Sequence, residues 1–169
     1  MSHQLAGVGL AGVIALERPA TTAAVLVGGA WFGSLAPDAD LAGARIHRRT
    51  RLERRSVLAR VGGWLVRLPL RLLIALRHRG VTHSFFGCAC AVALAYLLSP
   101  VLAAGVAIGW LAHIAGDACT PGGVALFSPL SRKRAWLLPR RARIPTGSLR
   151  ELLFTSLLAI ALVAVVLLR

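Results

Sequence analysis

Residues 152–168 run for seventeen positions without a charge, and no other feature constrains the fold of this chain so tightly. A segment of that polarity must satisfy its own backbone hydrogen bonds inside an apolar medium. It is therefore helical, and its length is close to the ~20 residues that cross a hydrocarbon core. Four further stretches share the character, and with 57% hydrophobic residues and a mean hydropathy of +0.72 the 169-residue chain is too apolar for a soluble domain of its size. The expected architecture is an all-α membrane protein. We read one integral domain over residues 1–169, a bundle of about five transmembrane helices at approximately 3–16, 20–36, 81–98, 101–118 and 152–168.

The first span is short and is expected to be retained, since no Lys or Arg precedes its apolar run as a signal peptide requires. Glu17-Arg18-Pro19 ends it. In the second, Gly28, Gly29 and Gly33 predict a thin face for close helix contact. Thr82 is the expected N-cap of the third span, and Ser99-Pro100 the turn into the fourth. Trp31, Trp64, Trp110 and Trp136 are read as interfacial anchors, and Cys88, Cys90 and Cys119 as small apolar fillers.

The formal charge of +14 comes from 20 bases against 6 acids. Eleven of the bases are arginines between positions 41 and 79, and seven more fall between 121 and 150. These segments flank spans three and four, so they share a side, which the positive-inside rule makes the cytoplasm. The N-terminus is then cytoplasmic and the C-terminus external. Within the first segment, residues 57–76 are apolar, but Arg60, Arg67 and Arg71 fall within about 40° of one another on a helix. That pattern predicts an interfacial amphipathic helix, bent near Pro69, and not a sixth span. No aromatic interleaving supports nucleic-acid binding; membrane lipids and an anionic substrate are the partners the arginines fit. The sequence leaves the oligomeric state open.

This topology gathers scattered polar residues. His3 opens span one, Asp38 and Asp40 close span two, His78 and His83 precede span three, and His113 and Asp117 close span four. Four of the five histidines and three of the six acids thus converge on one membrane face. His113 and Asp117 stand at i and i+4, so both project from one side of a helix. A mixture of imidazole and carboxylate suits zinc first, with manganese or iron as possible alternatives, over calcium. Seven candidate ligands exceed the needs of one ion, which leaves room for one or two.

Three motifs, His78-Arg-Gly-Val-Thr-His83-Ser84, Pro37-Asp38-x-Asp40 and Gly109-Trp-Leu-Ala-His113-x-x-x-Asp117-x-x-Thr120-Pro121-x-Gly123, resemble the YdjM-like family of membrane-bound metal-dependent hydrolases. The order of motifs matches from His3 to about Pro129. The resemblance implies a small bacterial inner-membrane protein with a hydrolytic metal centre, with His3, Asp38, Asp40, His78, His83, His113 and Asp117 as its metal positions.

On that reading Asp40 is the candidate general base, and Arg79, set by the Gly80 turn, the candidate partner for charge developing on a phosphoester of a lipid or amphiphile. Thr82 and Ser84 are placed to orient ligands or water. Two other classes stay open at this stage. One is a non-catalytic divalent-metal carrier or sensor, and the other a structural or stress-response protein whose basic loops bind lipid.

Overall fold

The structure, a computed structural model, describes residues 2–38 and 80–168, with side chains from Gln4 onward. Among these residues there are five α-helices, one at each expected span: α1 (Ser2–Ala15), α2 (Ala20–Leu35), α3 (Phe85–Tyr96, starting later than the expected 81), α4 (Pro100–Cys119) and α5 (Leu149–Leu167, starting earlier than the expected 152). A single 3-10 turn, Ala36–Asp38, extends α2. Ala20–Asp38, Pro100–Cys119 and Leu149–Leu167 are each long and apolar enough to cross a membrane, while α1 and α3 are shorter apolar helices. The expected interfacial helix at 57–76 and the eleven arginines of 41–79 lie outside the described residues.

Local chemistry sets the helix ends. Pro19, with φ −52°, opens α2 at the position where a missing N–H costs nothing. Ser99 accepts from Leu102 N at 3.4 Å, and Pro100 begins α4. Ser148 and Glu151 form a variant of the capping box at α5: Ser148 Oγ accepts from Glu151 N at 3.3 Å, and Glu151 Oε2 reaches back to accept from Gly147 N at 2.7 Å. At α3 the expected cap is corrected by two residues. Ser84, not Thr82, is the N-cap, its hydroxyl accepting from Gly87 N at 3.2 Å and donating to Val81 O at 2.6 Å. Thr82 sits in the preceding turn, where its hydroxyl is free to meet a side chain.

Helix α4 is the centre of the bundle, packed by α1, α2 and α3; α5 leans on α1. The α2–α4 contact is unusually close because Gly29-x-x-x-Gly33 faces Gly105-x-x-x-Gly109, the small-residue spacing that lets helix backbones approach in lipid. A Cβ at Gly29 would stand 2.8 Å from Leu102 O, and one at Gly33 would collide with Val106 O. Reciprocally, Gly105 faces Leu26 O and Gly109 faces Ala30 O and Ser34 N. Gly28 takes no part: nothing lies within 4 Å of where its Cβ would be, so the thin face is Gly29 and Gly33 alone. Van der Waals contact of this kind substitutes for a hydrophobic drive that lipid does not supply.

The contacts also fix direction. Gly29 meets Gly105 and Gly109 meets Ser34, so α2 and α4 run parallel, and the four-residue connection that turns α1 back along α2 sets α1 against α4. The start of α1, the end of α2, the start of α3 and the end of α4 therefore share one end of the bundle.

Candidate metal centre

Four of the sequence candidates meet at that end. His83 and His113 are fully buried, Asp117 is 9% exposed, and Asp38 joins them from the 3-10 turn that closes α2. His83 Nε2 lies 3.4 Å from Asp38 Oδ1 and 3.5 Å from Asp117 Oδ2; His113 Nε2 lies 3.8 and 3.7 Å from the same atoms. The two rings stand edge to face, 5.1 Å between centroids. His113 and Asp117 reach the cluster together because they are one turn apart on α4.

Each imidazole is oriented from behind. His113 Nδ1 is 2.8 Å from the carbonyl of Ser34. A carbonyl only accepts, so Nδ1 carries a proton, and Nε2 is the ring nitrogen directed toward the carboxylates. His83 Nδ1 is 3.1 Å from Thr82 Oγ1. The turn that holds His83 is itself pinned: Trp110 Nε1 donates to Thr82 O at 3.0 Å, Ser84 N to Val81 O at 3.3 Å, and Phe85 N to Leu126 O at 3.0 Å. Partners on the far nitrogen that fix tautomer and ring angle are the usual company of metal-ligating histidines.

The donor spacing leaves room for a shared ion. His83 Nε2 is sealed from solvent and makes no hydrogen bond among the described residues. Leaving such a nitrogen unsatisfied costs about 1–3 kcal/mol. Ligands about 2.0–2.2 Å from a tetrahedral zinc stand roughly 3.3–3.6 Å apart; the His83 separations, 3.4 and 3.5 Å, fall in that range, and those of His113, 3.8 and 3.7 Å, lie just beyond it. Asp38, His83 and His113 each offer an atom within 4.8 Å of the others, close enough to hold a metal ion.

The family model of the YdjM inner membrane protein matches residues 1–169. The chain belongs to the YdjM inner membrane protein family. No curated protein and no solved structure matches it. Membership places the protein in the inner membrane, in keeping with the three helices among the described residues that are long enough to span one.

Three further sequence candidates, Asp40, His78 and Arg79, lie outside the described residues, as does the side chain of His3, whose main chain is in the first turn of α1. Reading the sequence missed two contributors. Ser34 acts through its carbonyl, which carries no sequence signal. Trp110, expected at the membrane interface, is 6% exposed and anchors the His83 turn instead. Its place three residues before His113, on a helix already assigned to the site, was the available clue.

Proposed function

We infer that this chain is a membrane-bound, metal-dependent hydrolase whose centre works at the membrane face of the bundle. The observation that carries the reading is the convergence of two oriented imidazole Nε2 atoms on the carboxylates of Asp38 and Asp117. His83, His113, Asp38 and Asp117 would hold the ion, and an N2O2 donor set favours zinc over calcium. When bound, a divalent ion supplies Lewis-acid polarisation and activation of water for hydrolysis.

The residues of the chain contribute position and access. Ser34 and Thr82 hold the imidazoles in register, so little rearrangement is needed when substrate arrives. The two sides of the site differ in access. The histidine side chains are 1% exposed and that of Asp38 is 45% exposed among the described residues. A structural site closes on all sides, whereas a catalytic one keeps an open position. Asp38 marks that opening. Asp40, two residues on, is the proposed general base, and Arg79 the proposed partner of an anionic leaving group or transition state. A centre at the end of a bundle of spanning helices favours a phosphoester of a lipid or amphiphile as substrate.

The test is turnover by purified protein loaded with zinc or manganese, on lipid phosphoesters and on soluble aryl phosphoesters. Phosphate or alcohol release should stop on chelation and fall about 100-fold or more in His113→Gln and Asp38→Asn variants. Stoichiometric metal with no turnover on any of these would leave the carrier or sensor reading in its place.

A further inference from the structure

The second basic segment of the chain joins α4 to α5. Residues 121–148 hold five arginines and one lysine (Arg132, Lys133, Arg134, Arg140, Arg141 and Arg143) and no acid. A loop of this kind is ordinarily a topology signal standing in solvent. Here it is folded down onto the bundle. Phe85 N at the start of α3 donates to Leu126 O, Leu137 N donates to Ala118 O, and Ile144 N donates to Cys119 O, each at 3.0 Å. Val124 and Ala135 exchange both main-chain hydrogen bonds, at 3.1 and 2.8 Å, which closes a hairpin. The loop therefore lies across the ends of the spanning helices, where they leave the hydrocarbon.

At that level it presents two kinds of surface. Leu130 is 95% exposed, Leu137 64% and Phe127 62%. The Phe127 ring meets Phe85 edge to face, 6.0 Å between centroids, so the apolar side of the hairpin continues the outer surface of α3. All six bases are exposed except Arg143, which is half-buried. Those with fixed positions are held by main-chain carbonyls: Arg134 by Gly122 O at 2.7 Å, and Arg143 by Leu138 O at 3.3 Å, with its guanidinium 4.4 Å from the Trp136 ring centre. A carbonyl orients a guanidinium without neutralising it, so the full positive charge remains for a partner.

We propose that residues 121–148 are a docking surface for anionic phospholipid headgroups of the protein's own membrane. Phe127, Leu130 and Leu137 enter the acyl boundary, and the bases meet the phosphates above them. Charge complementarity and the exposed aliphatic side chains select this occupant. A nucleic acid would want a series of aromatic faces to stack on, and residues 121–148 hold only two aromatics, Phe127 and Trp136, the second with Arg143 over its ring. The inference stands on the loop alone and holds whether or not the histidine centre is catalytic.

The test reconstitutes the full chain in nanodiscs of mixed phosphatidylcholine and phosphatidylglycerol, then counts retained lipids by native mass spectrometry. Wild type should retain phosphatidylglycerol preferentially. One base near an anionic surface is worth about fivefold, so the Arg132→Gln/Lys133→Gln/Arg134→Gln variant should lower that preference by at least tenfold. Arg140→Gln/Arg141→Gln, on the other arm of the loop, should lower it about fivefold or more and serves if the triple variant fails to fold. Leu130→Ser should reduce retention of both lipids with the preference kept. Equal retention of the two lipids by wild type would overturn the proposal, as would either charge variant, folded, keeping the full preference. Wild type that binds a homopolymeric RNA which phosphatidylglycerol vesicles cannot displace would overturn it too.

Discussion

Replacing Gly109 by alanine tests how the packing of two spans builds the metal centre. The added Cβ would collide with Ala30 O and stand 2.8 Å from both Ala30 C and Ser34 N, all main-chain atoms that cannot rotate away. Ordinary contact at such atoms is about 3.4 Å or more, so α2 and α4 must part by roughly half an ångström or more at this level. Overpacking of this kind costs about 1–3 kcal/mol. The displaced main chain includes Ser34, whose carbonyl holds His113 Nδ1 at 2.8 Å one helical turn beyond Gly109. Loss of such an outer partner lowers metal affinity by about 10- to 100-fold. The assay is thermal unfolding in detergent together with zinc affinity measured against a competing chelator. Gly28→Ala is the matched control, because its Cβ meets open space. It should be neutral, or stabilising by up to about 1 kcal/mol through helix propensity. If Gly109→Ala and Gly28→Ala behave alike in both measurements, the idea that α2–α4 contact positions His113 is wrong.

Other outcomes follow from the same geometry. Trp110→Phe removes the donor to Thr82 O while keeping an aromatic ring, and should cost about 1 kcal/mol and weaken metal binding severalfold, measured by the same chelator competition. Ser84→Ala removes the cap of α3 and should lower stability by about 1 kcal/mol in denaturant titrations, with Ser84→Thr, which keeps a hydroxyl that both accepts and donates, largely restoring it. Asp40→Asn should leave metal stoichiometry intact and abolish most turnover, a split that separates a base from a ligand. A reporter that is active only in the cytoplasm should be silent when fused after Arg169, because five spans with the N-terminus inside put the C-terminus outside.

Most of the bundle could be read from the sequence because lipid leaves few choices: an apolar run must be a helix, and its ends are written in Pro19 and Ser99-Pro100, whereas α5 begins three residues before the expected 152, at the Ser148 cap. The gathering of Asp38, His83, His113 and Asp117 was legible for a related reason, since charge placement orders the spans and so decides which polar ends meet. What the sequence hid was directional. Thr82 and Ser84 are equally good caps by type, and only the turn geometry gives the cap to Ser84 and sends the Thr82 hydroxyl to His83. Gly28 and Gly29 are neighbours of identical chemistry, and 100° of rotation puts one against Leu102 O and the other in open space. Ser34 contributes a carbonyl that every residue type owns.

The central claim is that His83, His113, Asp38 and Asp117 bind a transition metal. Elemental analysis of protein purified in detergent without chelators tests it most directly, with His83→Ala and Asp117→Ala variants purified alongside. The account predicts one or two equivalents of a transition metal, zinc foremost, in the wild type and a large loss in both variants with the helical content retained. Wild-type protein that carries no transition metal, and takes up none when it is offered, would contradict it.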